Sequence, residues 1–122
     1  MHTFVTFFTY TKAAWHEMVQ RPEDRETATR EVIQANGGKL LSFYWMFGDH
    51  DGFAIYEATD TVVAATVLAG IASSGRIESM ATSALLTGAE SQRVLEMAKF
   101  ASTDYRPPGG ATDWHAEYGI DD

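Results

Sequence analysis

The stretch from Lys39 to Ala58, KLLSFYWMFGDHDGFAIYEA, constrains the fold more tightly than any other part of the chain. Two apolar runs, Leu40–Phe47 and Phe53–Ala58, flank the polar break Gly48-Asp49-His50-Asp51-Gly52. Both runs are rich in aromatic and branched side chains, which suit a pleated, half-buried backbone. The break supplies two glycines able to take positive φ and two aspartates able to bond their own backbone. A β-hairpin is predicted.

The flanking chain fits around that hairpin. Residues His2–Tyr10 alternate Phe4, Thr6, Phe8, Tyr10 with Thr3, Val5, Phe7, Thr9, which predicts a strand with large groups on both faces. Thr11–Gln20, with Ala14, Trp15, Met18 and Val19, is compatible with a short helical turn. Pro22 then opens a helix over Pro22–Asn36, with Glu23 and Asp24 complementing its dipole and Gly37-Gly38 stopping it. After the hairpin, Asp60 is an N-cap for a helix running to about Ser74, with Gly75 just past its end. That helix is apolar around most of its circumference, and Ala65, Ala69 and Gly70 are expected to let it approach a sheet closely. Arg76–Thr87 reads as a fourth strand with partial alternation, and Ala89–Ala101 as a further helix.

The order strand-helix-strand-strand-helix-strand predicts a ferredoxin-like α+β sandwich, with four antiparallel strands and two helices on one face. Its other face would expose an aromatic surface that soluble monomers rarely carry. A homodimer or larger homo-oligomer is therefore expected, with that face covered. Residues 1–88 form the expected domain. Residues 89–122 are expected to be a helix and an aromatic tail (Tyr105, Trp114, Tyr118, Ile120) packed on the same domain or on a neighbouring subunit.

Composition narrows the function classes. The net charge is −8, and the nine lysines and arginines are scattered, which argues against nucleic acid and anionic membrane as partners. There are no cysteines, so disulfides, thiolate metal sites and a cysteine nucleophile are excluded. Met1-His2-Thr3-Phe4 lacks the features of a signal peptide, and the apolar runs are short for a membrane helix. A cytoplasmic protein is expected.

Asp49-His50-Asp51 is the sharpest chemical candidate. Two carboxylates beside an imidazole stabilise its charged form and suit it to general-base work, with His50 and Asp49 as the catalytic pair. The competing reading is a plain turn, with the aspartates bonding backbone and His50 facing solvent. Tyr10, Tyr44, Trp45 and Tyr56 are candidates to line an aromatic ligand site, as against core or interface packing. Tyr44 and Trp45 are adjacent on a strand and cannot both face one cavity. Glu57, lone among apolar neighbours, reads either as a buried acid at that site or as the ion-pair partner of Arg76 or another base. Other motifs fail on their context. His16-Glu17 begins like a zinc-protease helix, but Gln20 occupies the second ligand position, and the four histidines lack metal-ligand spacing. Gly37-Gly38-Lys39 precedes a strand, not the helix a phosphate loop needs, and Ser73-Ser74-Gly75 lacks a nucleophile-elbow context. No cofactor and no metal is implied.

Gly37-Gly38-Lys39, Phe43-Tyr44-Trp45 and Gly48-Asp49-His50-Asp51 together resemble the signature of the GYD-domain family, which is small, bacterial and archaeal. The resemblance runs from about Phe4 to Thr87 and includes Pro22, Glu57-Ala58-x-Asp60 and Gly75. One departure is His50, where the family usually has tyrosine. The resemblance implies a dimeric α/β barrel, a fold whose members often hold small molecules between sheet and helices. Some perform cofactor-free oxygenation, isomerisation or decarboxylation. It therefore implies a small-molecule-binding protein or cofactor-free enzyme acting on a small apolar or aromatic compound. The alternative is an oligomeric assembly or accessory subunit without catalysis.

Overall fold

A computed structural model describes residues 1–101 and 105–109. The chain divides into two compact units, Met1–Leu86 and the part from Thr87 onward. In the first unit, strand β1 (His2–Tyr10) leads into helix α1 (Lys12–Gln20) and helix α2 (Arg25–Ala35). The hairpin follows as β2 (Lys39–Trp45) and β3 (Gly52–Ala58), then helix α3 (Thr61–Ser73) and strand β4 (Ile77–Leu85). The four strands form one sheet in the order β2-β3-β1-β4, every neighbouring pair antiparallel. This is the ferredoxin-like α+β arrangement. The second unit contributes helix α4 (Gly88–Ala98), whose N-cap Thr87 and Glu90 form a reciprocal capping box. Trp114, Tyr118 and Ile120 of the expected tail lie outside the described residues. Among the described residues, no helix is long and apolar enough to cross a membrane.

Local chemistry accounts for the element boundaries. Thr11 caps α1 by accepting from the Ala14 N–H, so the predicted short turn is a full helix. Helix α2 begins at Arg25, not Pro22, because the Asp24 carboxylate accepts from the Glu26 and Thr27 N–H groups and sets the start there. Gly37, with φ +79°, takes the left-handed conformation that ends α2. Asp60 caps α3 through the Val63 N–H, as the sequence predicts. Gly52 is needed for a different reason from the positive φ expected of it. It is buried in β3, and a Cβ there would lie 2.5 Å from the Phe8 ring and 2.7 Å from the Tyr44 carbonyl oxygen.

Strand register assigns every side chain to a face. Phe4, Thr6, Phe8 and Tyr10 of β1 point to the helices with Ala54, Tyr56 and Ala58 of β3, Leu40 and Phe43 of β2, and Ile77 and Met80 of β4. Phe4 stacks on Tyr56, and Phe8 lies between Tyr10 and Phe43. Ile33 of α2 and Ala64 of α3 complete this core. Each large side chain buried there contributes about 1.5–3 kcal/mol before entropy is counted.

Helix α3 corrects the sequence reading. Its buried or half-buried positions are Val63, Ala64, Val67, Leu68 and Ile71, while Ala65, Ala69 and Gly70 are exposed. The small residues thus lie away from the sheet. A helix that is apolar almost all round carries no sequence signal for its rotation about its own axis.

The opposite face of the sheet carries Val5 and Phe7 of β1, Phe53, Ile55 and Glu57 of β3, Tyr44 of β2 and Ala81 of β4, with no helix of this unit over it. Tyr44, Phe53, Phe7 and Ala81 occupy one cross-strand row. Their rings touch in succession, Tyr44 to Phe53 at 5.6 Å and Phe53 to Phe7 at 5.8 Å between centroids.

Candidate functional site

Between the sheet and helices α2 and α3 lies a cavity of about 120 Å³. Its walls are almost wholly apolar: Phe8, Phe43 and Met80 from the strands, Val32 from α2, Leu68 and Ile71 from α3. Val67, Leu68 and Ile71 of α3 are half-buried where they line it, and Ala28 of α2 and Ala54 of β3 are the small residues of its wall. The polar residues of the lining are Thr6, Tyr10, Thr29, Tyr56 and Arg25, and the Thr29 hydroxyl donates to the Arg25 carbonyl.

The polar groups are organised. Tyr56 and Thr6 share a hydrogen bond of 2.8 Å, and Thr6 and Thr82 one of 2.9 Å. Each hydroxyl has one proton, so two bonds among three hydroxyls leave one proton over. The Trp45 indole N–H donates to the Tyr10 hydroxyl at 3.3 Å. An indole can only donate, so the Tyr10 oxygen accepts there and keeps its own proton for another partner. Burial pushes the pKa of Tyr10 up, an effect partly offset by the bond from Trp45 and by the nearby Arg25 charge. Burial likewise raises Tyr56, partly offset by its bonds to the threonines. Both phenols are protonated at neutral pH.

A larger cleft of about 600 Å³ adjoins the cavity. Tyr10, Arg25, Ile71 and Ile77 border both spaces, so Arg25 and Tyr10 lie between the two. Arg25 pairs with Glu23 at 2.7 Å across an exposed contact.

The candidate residues read from sequence divide between the two faces of the sheet. Tyr10 and Tyr56 line the cavity. Trp45 is on the same side but outside the lining, packed on Tyr10 and Trp15. Tyr44 and Glu57 are on the open face, so Tyr44 and Trp45 do face apart as strand geometry requires. Glu57 sits across from Lys39 on β2. The pairing of Glu57 with Arg76 does not occur, because Arg76 is bound to Glu17 of α1 at 2.8 Å.

The hairpin turn separates its three polar residues. Asp49 is exposed. His50 does not face solvent: its ring is half-buried and lies 5.4 Å from that of Phe7, on the open face, and its Nδ1 is shielded from solvent with no hydrogen-bond partner among the described residues. Asp51 turns the other way. Its Oδ2 accepts from the Tyr10 backbone N–H at 2.8 Å and from the Trp15 indole N–H at 3.2 Å, while its own N–H donates to the Phe8 carbonyl. Backbone pairing of β1 with β3 ends at Phe8 and Gly52, and this carboxylate satisfies the next donor along β1. Asp51 thereby fixes α1 to the sheet beside Tyr10.

Sequence reasoning missed Arg25, Thr6 and the aliphatic lining. Arg25 did carry a signal: a cation in the first turn of a helix opposes the helix dipole and is disfavoured there without another purpose.

A four-stranded β2-β3-β1-β4 sheet with helices on one face and an apolar cavity beneath them defines a ferredoxin-like α+β domain. The family model for the GYD domain matches residues 4–95, and the chain belongs to that family. The match continues into α4, past Thr87, where the residue resemblance stops. No curated protein matches the chain.

Proposed function

We propose that this protein binds a small apolar or aromatic molecule in the cavity between its helices and its sheet, and that two copies pair through the open sheet face. The observation that carries the first part is the cavity itself. It is a concave, partly open hollow, and its few polar residues sit in an otherwise apolar wall, as in ligand sites generally. The aromatic row Tyr44-Phe53-Phe7 supports the second part, since Tyr44 is 61% exposed and a partner sheet would bury it.

A cofactor-free oxygenase, isomerase or decarboxylase needs a base within reach of its substrate. His50 and Asp49 do not border the cavity, and Tyr10 and Tyr56 hold their protons at neutral pH. Binding without turnover is the form of the reading that this supports best.

Native mass spectrometry of protein purified gently from its own source tests both parts. The expected result is a dimer mass carrying a small molecule, with the molecule absent when Val67→Phe fills the cavity. A monomer mass, or an occupied protein indifferent to that substitution, would contradict the corresponding half.

A further inference from the structure

We propose that the ligand is a small monocarboxylate with a single-ring or comparably compact apolar body, its carboxylate held at the cavity rim by Arg25 and the Tyr10 hydroxyl. This rests on the cavity being the binding site and adds the chemistry of what it selects.

The body follows from size and lining. An engineered cavity of about 150 Å³ with an aliphatic and aromatic wall takes up benzene. The cavity here, about 120 Å³ and walled by residues such as Phe8, Val32 and Leu68, suits a group of that order. A fused-ring system or a long acyl chain exceeds it.

The head group follows from the rim. Among the described residues lining the cavity, Arg25 is the only charged one, and it also borders the outer cleft. Its neighbour Tyr10 accepts from Trp45 and retains its own proton to donate. The rim therefore offers a guanidinium and a phenol as donors, which match the two acceptor oxygens of a carboxylate. An amine would meet repulsion from Arg25, and a neutral alcohol would forgo the charge-assisted bond. Glu23 takes one guanidinium nitrogen, but the pair is exposed and so is weakly held; the guanidinium has five N–H donors in all.

A second observation points the same way. The outer cleft is lined by Arg21, Arg25 and Arg76 against Glu17 and Glu23, three arginines to two glutamates. In a chain of net charge −8, this is a local reversal of sign beside the cavity opening. It favours the approach of an anion.

The test compares benzoate with benzyl alcohol, two probes of similar size that differ in charge, by calorimetry and by chemical-shift changes at cavity residues at pH 7. Wild-type protein is expected to bind benzoate at least about tenfold more tightly than benzyl alcohol. Arg25→Gln, a change at a half-exposed position, is expected to abolish that preference by weakening benzoate binding far more than benzyl alcohol binding, and Tyr10→Phe to reduce it. Equal binding of the two probes, or a preference unchanged by Arg25→Gln, would overturn the carboxylate assignment and leave the cavity reading standing. Binding of inorganic phosphate in preference to benzoate would overturn it as well. Failure of both probes to perturb cavity residues would overturn the assignment and the cavity reading together.

Discussion

At the scale of single residues, the hairpin shows how one short polar break serves several demands. Asp51 accepts two hydrogen bonds from groups that come from β1 and α1, and removing it strands both donors. Asp51→Ala is expected to cost about 1–3 kcal/mol, with faster hydrogen exchange in α1 than elsewhere. Uniform exchange across the unit would show that Asp51 does not hold α1. Gly52→Ala is expected to cost about as much through overpacking against Phe8 and a backbone carbonyl that cannot yield, as read from denaturant midpoints. The two cavity tyrosines set a pH dependence whose sign can be worked out. Their folded pKa values lie above the ordinary 10.0, so the folded chain holds protons that the unfolded chain gives up first. Stability is at its full value below about pH 10 and falls as pH rises through the higher folded values. Tyr56→Phe is expected to cost about 1 kcal/mol at neutral pH and to flatten the alkaline fall; an unchanged alkaline limb would remove Tyr56 from that account.

At the scale of elements, α3 carries the sharpest contrast. Its N-cap and end were readable because capping depends on neighbours a few residues apart: Asp60 before the helix and Gly75 after it. Its orientation was not readable, because valine, alanine, leucine and isoleucine occupy nearly every side of it. A substitution pair discriminates the two orientations. Ala69→Glu is expected to change stability by no more than about 0.5 kcal/mol, and Ala64→Glu, at a position 3% exposed, to cost about 3 kcal/mol or more. The reverse order would put the small residues against the sheet after all. Helix α2 teaches the same lesson at its start, where Asp24 capped the helix three residues inside the proline-led expectation.

At the scale of the whole molecule, the first unit has its helices over one sheet face and none of them over the other. No large side chain among the described residues falls below 2% exposure, as expected of a thin layer with a single flank of helices. The proposed pairing of open faces makes a direct prediction. Tyr44→Glu, at an exposed position in the aromatic row, is expected to halve the molar mass in sedimentation equilibrium without altering the far-UV circular dichroism spectrum. A wild-type chain that remains monomeric at high micromolar concentration would refute the pairing. If both proposals hold, the two sheet faces have separate tasks: one joins copies, the other takes a ligand.

What the sequence by itself determined was the set of local structures and their order. Turn chemistry at Gly48–Gly52, the alternation in His2–Tyr10, and the caps Asp60 and Gly75 all act within a few residues, and that order leads to the ferredoxin-like sheet. The candidate site was legible only in part. Tyr10 and Tyr56 were recognisable as aromatic residues on strands, yet Tyr44, Glu57 and His50 share the same short hairpin and came to lie on the other face. Tertiary structure alone decided which side of α3 meets the sheet, where a hollow remains beneath it, and that Arg25 lines that hollow together with Tyr10. Those outcomes depend on side chains tens of residues apart meeting in space, and no spacing along the chain encodes them.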